Sequence, residues 1–160
     1  MGLPRVVMLM GSESDRPTMQ KGVEVLESFG VTCSLKALSA HRLPEAVGKF
    51  AREAEAQGVE VLIGAAGMAA HLAGALAAHS ILPVIGVPVS NGSLNGLDAL
   101  LATVQMPPGV PVATVAIDGA KNAAYLALQI LARKDSKIAD QLRAERQKNQ
   151  EKLLAQFHAS

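Results

Sequence analysis

At 160 residues the chain has the length of one domain, here residues 1–160, with enough material for a sizeable core. Its 49% apolar and 18% charged residues exclude both a disordered chain and a coiled coil. Fifteen basic against 14 acidic residues leave a net charge of +1, and there are only three Phe, one Tyr and no Trp. Neither a one-signed field nor a stacking platform for nucleic acid is therefore expected.

Residues 6–10 (VVMLM) form a short apolar run that reads as a first strand. It stops at Gly11-Ser12-Glu13-Ser14-Asp15, and Pro17 suits the first turn of a helix reaching to about residue 29. Residues 32–38 read as the second strand. The polar tip Ser39-Ala40-His41-Arg42 follows, and Pro44 opens a helix that Gly58 ends. Residues 59–64 (VEVLIG) are the third strand. The Gly/Ala-rich turn 65–67 comes next, and a small-residue helix starts there and runs to about His79. Residues 82–87 are the fourth strand, followed by a polar loop at 89–93 and a helix at about 95–103. After a Pro-rich loop, residues 112–117 are the fifth strand. Helices at about 120–132 and 136–157 complete the chain.

Apolar strands alternating with helices predict βαβ units and a parallel sheet covered on both faces. The expected class is α/β: a flavodoxin-like doubly wound sheet of order 2-1-3-4-5 in three layers, with a long C-terminal helix. Ligands of such sheets bind beyond the carboxyl ends of the strands, at the switch point between strands one and three. The loops at 11–15 and 65–68 converge there, with 39–42 beside them. On its own the 39–42 tip reads as solvated loop. Three polar or Gly-rich loops at one place read as a site.

The residue types suggest its chemistry. Histidine changes charge near neutral pH, so His41 suits proton transfer. Arg42 brings a fork of donors suited to anions. Ser12, Ser14 and Asp15 stand at a helix start, where phosphate or sugar hydroxyls are held, although capping is the commoner use of such residues. No GKS or GKT, no paired GxGxxG, no nucleophile elbow and no metal-ligand spacing is present. The lone Cys33 cannot form an internal disulfide and points to a reducing, cytoplasmic setting. No signal peptide is expected, and no apolar run reaches the roughly 18 residues of a membrane span. What remains is proton transfer with electrostatic help on a phosphorylated sugar or nucleotide, of lyase or isomerase type.

Five motifs sharpen this reading. Met10-Gly11-Ser12-Glu13-Ser14-Asp15, Ser39-Ala40-His41-Arg42, Ala69-Ala70-His71-Leu72, Leu94-Asn95-Gly96-Leu97-Asp98, and Val104-Gln105-Met106-Pro107 with Gly109-Val110-Pro111 occur in this order. From about residue 5 to about residue 131 the chain resembles the N5-carboxyaminoimidazole ribonucleotide mutases of bacterial purine biosynthesis. The resemblance implies an isomerase that moves a carboxylate from N5 to C4 of the imidazole, without metal, biotin or ATP. It also implies His41 as the catalytic acid and base. His41 would donate a proton as the substrate decarboxylates, then remove the C4 proton once C4 has attacked the trapped CO2. Ser12, Asp15 and Arg42 match nucleotide-binding positions. Ser14, Ser39, Ala40, Gly67, Met68, His71 and Leu72 complete the expected substrate-binding set.

The resemblance further implies a homo-octamer, with the last helix packing on a neighbouring subunit. Aminoimidazole ribonucleotide carboxylase using CO2 directly, and a non-catalytic nucleotide-binding module, are the alternatives. The chain departs from the common pattern at Met68, where Gly is usual, at Ala73 for Pro, and at Leu43 for Thr. The stretch Asp118-Gly119-Ala120-Lys121-Asn122 is also shorter than in many members.

Overall fold

The computed structural model describes residues 4–159. The strands are β1 (Val6–Met10), β2 (Cys33–Ala37), β3 (Val61–Gly67), β4 (Val84–Val89) and β5 (Ala113–Thr114). The helices are α1 (Arg16–Ser28), α2 (Pro44–Glu53), α3 (Leu72–His79), α4 (Leu97–Val104), α5 (Ala120–Leu131) and α6 (Ser136–Ala159). All four strand pairings are parallel, in the expected order β2-β1-β3-β4-β5. The chain divides into two compact units, Met1–Ala127 and Leu128–Ser160. The first holds the whole sheet. The second holds the end of α5 and α6, whose polar middle makes local pairs such as Arg143 with Asp140 at 2.7 Å.

Alternation along β1 assigns the layers. Val7 and Leu9 join Leu62 of β3 in a cluster with Val47 and Ala51 of α2 and Leu72, Ala73 and Leu76 of α3. Met8 points to the other face, towards α1. A Cβ added to Gly22 there would lie 2.9 Å from Met8 Cε and 2.7 Å from the Ala120 carbonyl at the start of α5. Gly86 of β4 has no room for a Cβ beside Thr103 of α4 and Ala73 of α3. Helices α2, α3 and α4 thus cover one face, and α1 with the start of α5 the other. Each large side chain buried in these layers contributes about 1.5–3 kcal/mol.

Several boundaries differ from the sequence pattern: β4 spans 84–89 rather than 82–87, and α2 stops at Glu53 before a 3-10 turn that Gly58 ends. Strand β3 runs through Ala65, Ala66 and Gly67, where a turn was expected, because Ala65 is flanked by Met10 and Val87 and the next two residues pair with Pro88 and Val89. Neighbours on the sheet override the weak strand propensity of Ala and Gly. Helix α3 begins at Leu72 rather than at the turn, leaving residues 68–71 as loop. Strand β5 has two residues instead of six. Val115 still donates to the Gly86 carbonyl at 3.0 Å, but the chain then turns towards Asp118, which is held at φ +57°.

Candidate active site

The carboxyl ends of β1, β2, β3 and β4 carry four loops that meet in one cleft. The first loop is docked on β3 by Gly11 N–H, which donates to the Ala65 carbonyl at 2.9 Å. Ser12 Oγ accepts from Ser14 N–H at 3.3 Å and from Ser14 Oγ at 2.9 Å, capping a 3-10 turn over Glu13–Asp15. Asp15 occupies the N-cap position of α1 but makes no capping bond with its side chain. Its carboxylate, only 2% exposed, accepts instead from Ser14 Oγ at 3.3 Å and from Asn91 Nδ2 at 2.7 Å. A residue type that usually caps a helix is here turned into the cleft.

The second loop follows β2. Ser39 anchors it: its carbonyl accepts from Leu43 N–H at 2.9 Å, and its Oγ accepts from Arg42 N–H at 3.4 Å and Nε at 3.3 Å. Arg42 Nη2 also reaches the Gly11 carbonyl at 3.4 Å, so the guanidinium links the first and second loops. Ala40 is buried beneath, in the cluster shared with α2 and α3. His41 is exposed on the cleft side.

The third loop leaves β3. Met68 takes a left-handed backbone, φ +52°, which favours glycine and costs about 1 kcal/mol or more for other residues. Its carbonyl accepts from Ala70 N–H at 2.8 Å, a tight reversal that delivers His71 to the N-cap position of α3. The His71 ring meets that of His41 edge-on at 5.2 Å between centroids.

The resulting cleft encloses about 240 Å³. Ser12, Ser14, Asp15, Ser39, Ala40 and His41 line it, as do Arg42, Gly67, Met68, His71 and Leu72. All eleven residues expected from the sequence are therefore brought together. Asn91, from the loop after β4, was missed. The one signal available was that this loop is polar and leaves a strand at the same edge of the sheet. Among the described residues, no group of three or more His, Cys, Asp or Glu is placed to hold a metal ion. No helix among them is long and apolar enough to cross a membrane.

A model of the AIR carboxylase family matches residues 5–152. The chain belongs to that family. A relative from Pyrococcus abyssi, named N5-carboxyaminoimidazole ribonucleotide mutase, is 56% identical over 146 residues, 91% of this chain and 84% of its own. The mutase of the same name from Thermotoga maritima is 49% identical over 152 residues, 95% of this chain and 89% of its own. Among solved structures, PurE of Treponema denticola superposes with a TM-score of 0.86. It is 31% identical to this chain, and the match covers 95% of each.

Proposed function

We propose that this cleft converts N5-carboxyaminoimidazole ribonucleotide to 4-carboxyaminoimidazole ribonucleotide in de novo purine biosynthesis, with His41 as the proton carrier. The chain is an isomerase-type enzyme of that pathway, as its curated relatives are. One observation carries the residue roles. A histidine, an arginine and a buried carboxylate share a single cleft of about 240 Å³ at the sheet's switch point.

Arg42 holds the anionic part of the ribonucleotide with its guanidinium fork. Asp15, Ser12 and Ser14 take the sugar and its hydroxyls, and Ser39 sets the position of Arg42 through the bonds at its Oγ. The protonated His41 gives its proton to N5 as the bond between N5 and the carboxylate carbon breaks, leaving aminoimidazole ribonucleotide and CO2. C4 attacks the CO2 carbon, and the now neutral imidazole removes the C4 proton, so the proton returns to where it began. His71, edge-on to His41, limits the positions its ring can take. Ala40, Gly67, Met68 and Leu72 supply small or apolar wall, which keeps CO2 from being lost to water.

The 160 residues act as one catalytic domain in the cytoplasm and assemble as a homo-octamer. Supporting that assembly, α6 exposes Leu153, Leu154 and Phe157, apolar side chains suited to the surface of another subunit.

The test is absorbance-monitored conversion of N5-carboxyaminoimidazole ribonucleotide, in chelator and without ATP. Conversion is expected. Tight ribonucleotide binding without conversion would leave a non-catalytic module. Equal or faster product formation from aminoimidazole ribonucleotide and bicarbonate would make the enzyme a direct carboxylase.

A further inference from the structure

Asn91 is the second residue of the loop after β4, and the roles above leave it unused. Its Nδ2 donates to Asp15 Oδ1 at 2.7 Å across 76 positions of sequence. The carboxylate only accepts, so the amide must present its NH₂ group. The other bond to that oxygen, from Ser14 Oγ, is longer at 3.3 Å. Asp15 Oδ2 receives no hydrogen bond from the described residues and is not sealed from solvent, so within a largely buried residue it stays open to the cleft. A carboxylate oxygen that faces a cleft without a protein donor is free to accept, and the hydroxyls of a sugar are donors that suit it.

Asn91 is itself closely held. A Cβ on Gly67 would lie 2.8 Å from Asn91 Cβ, and one on Gly92 would lie 3.0 Å from Met68 Cγ. The end of β3 therefore packs against the residue that holds Asp15, and the loops after β3 and β4 touch beside it.

We propose that Asn91 is a positioning residue for the substrate ribose. It anchors Oδ1 of Asp15 so that Oδ2 meets the sugar hydroxyls, a role that rests on the ribonucleotide reading above. The contact is made with a part of the substrate that does not react, so its loss weakens ground state and transition state alike.

The test is a double-mutant cycle of Asn91→Ala and Asp15→Ala, read as KM and kcat for N5-carboxyaminoimidazole ribonucleotide and as Tm. Asn91→Ala is expected to raise KM about tenfold with kcat within about threefold. In the Asp15→Ala background the same change is expected to move KM by less than about twofold. Additive effects, or an unchanged KM for Asn91→Ala, overturn the proposal. If the alanine variant does not fold, Asn91→Ser keeps a polar side chain too short for the 2.7 Å contact and takes its place. If the wild type binds aminoimidazole ribonucleotide but does not turn over, the mutase reading falls. The same cycle on the calorimetric Kd of that ribonucleotide then decides the role of Asn91.

Discussion

The imidazole of His41 stands edge-on to that of His71, with ring centroids 5.2 Å apart and planes inclined by 62°. The two come from the loops after β2 and β3, which are not neighbours in the sheet; β1 lies between them. The pair exists because both strands run parallel to β1 and send their loops to the same edge of the sheet. His41 is thus held at the cleft by a contact the chain makes only when folded.

If His41 carries the proton, His41→Asn keeps a polar side chain of related shape and removes general acid–base chemistry. Turnover is expected to fall by ~10²–10⁴-fold. The Kd for aminoimidazole ribonucleotide, measured by calorimetry, should stay within about threefold, because Arg42 and Asp15 remain. Turnover within tenfold of wild type would remove His41 from the central role.

Gly67 ends β3 against the loop after β4. A Cβ there would meet Asn91 Cβ at 2.8 Å, Asn91 Nδ2 at 3.1 Å and the Val89 carbonyl at 3.2 Å. Gly67→Ala is therefore expected to push Asn91 away from Asp15 and raise KM several-fold, with Tm lowered by only a few degrees. An unaltered KM would show that the loop yields without disturbing the carboxylate.

Gly22 lies inside α1, where replacing glycine by alanine ordinarily stabilises a helix by roughly 0.5–1 kcal/mol. Here the new methyl would sit 2.7 Å from the Ala120 carbonyl and 2.9 Å from Met8 Cε. Met8 can turn its terminal methyl aside; the backbone carbonyl at the start of α5 cannot. Overpacking of this kind costs typically 1–3 kcal/mol, so the clash wins and Gly22→Ala is expected to be less stable. Urea unfolding reads the difference directly, and a variant more stable than wild type would refute the packing argument.

Cys33 is the single thiol, at the start of β2. Burial pushes its pKa above the ordinary value, and the Glu27 carboxylate adds to the rise. The folded state favours the protonated thiol, so this contribution to stability is present below the unfolded thiol's pKa. It is lost as pH rises through the folded value. Near pH 8 the folded protein should react with iodoacetamide more slowly than a free cysteine peptide, and the two rates should converge at higher pH or in denaturant. Reaction as fast as the peptide at pH 8 would contradict the shift.

The sequence by itself determined the elements of the fold and the motif-bearing edge of the molecule. The apolar run at 6–10 becomes a buried strand and the one at 82–87 becomes β4 two residues later, Pro17 and Pro44 stand in the first turns of α1 and α2, and Gly58 takes φ +88° where a chain reversal needs it. These are local effects, each set by a residue and its near neighbours, so they can be read without a structure. Eleven of the residues that line the cleft were also legible, because the family motifs mark their loops and parallel strands send those loops to one edge. Only the tertiary structure decided what those residues do to one another. It turned Asp15 from a helix cap into a buried acceptor for Asn91, carried β3 through an Ala-Ala-Gly stretch of weak strand propensity, and set His71 against His41. Each of these depends on groups far apart in the chain whose energies appear only when the layers close. No local propensity records a hydrogen bond made across 76 positions of sequence.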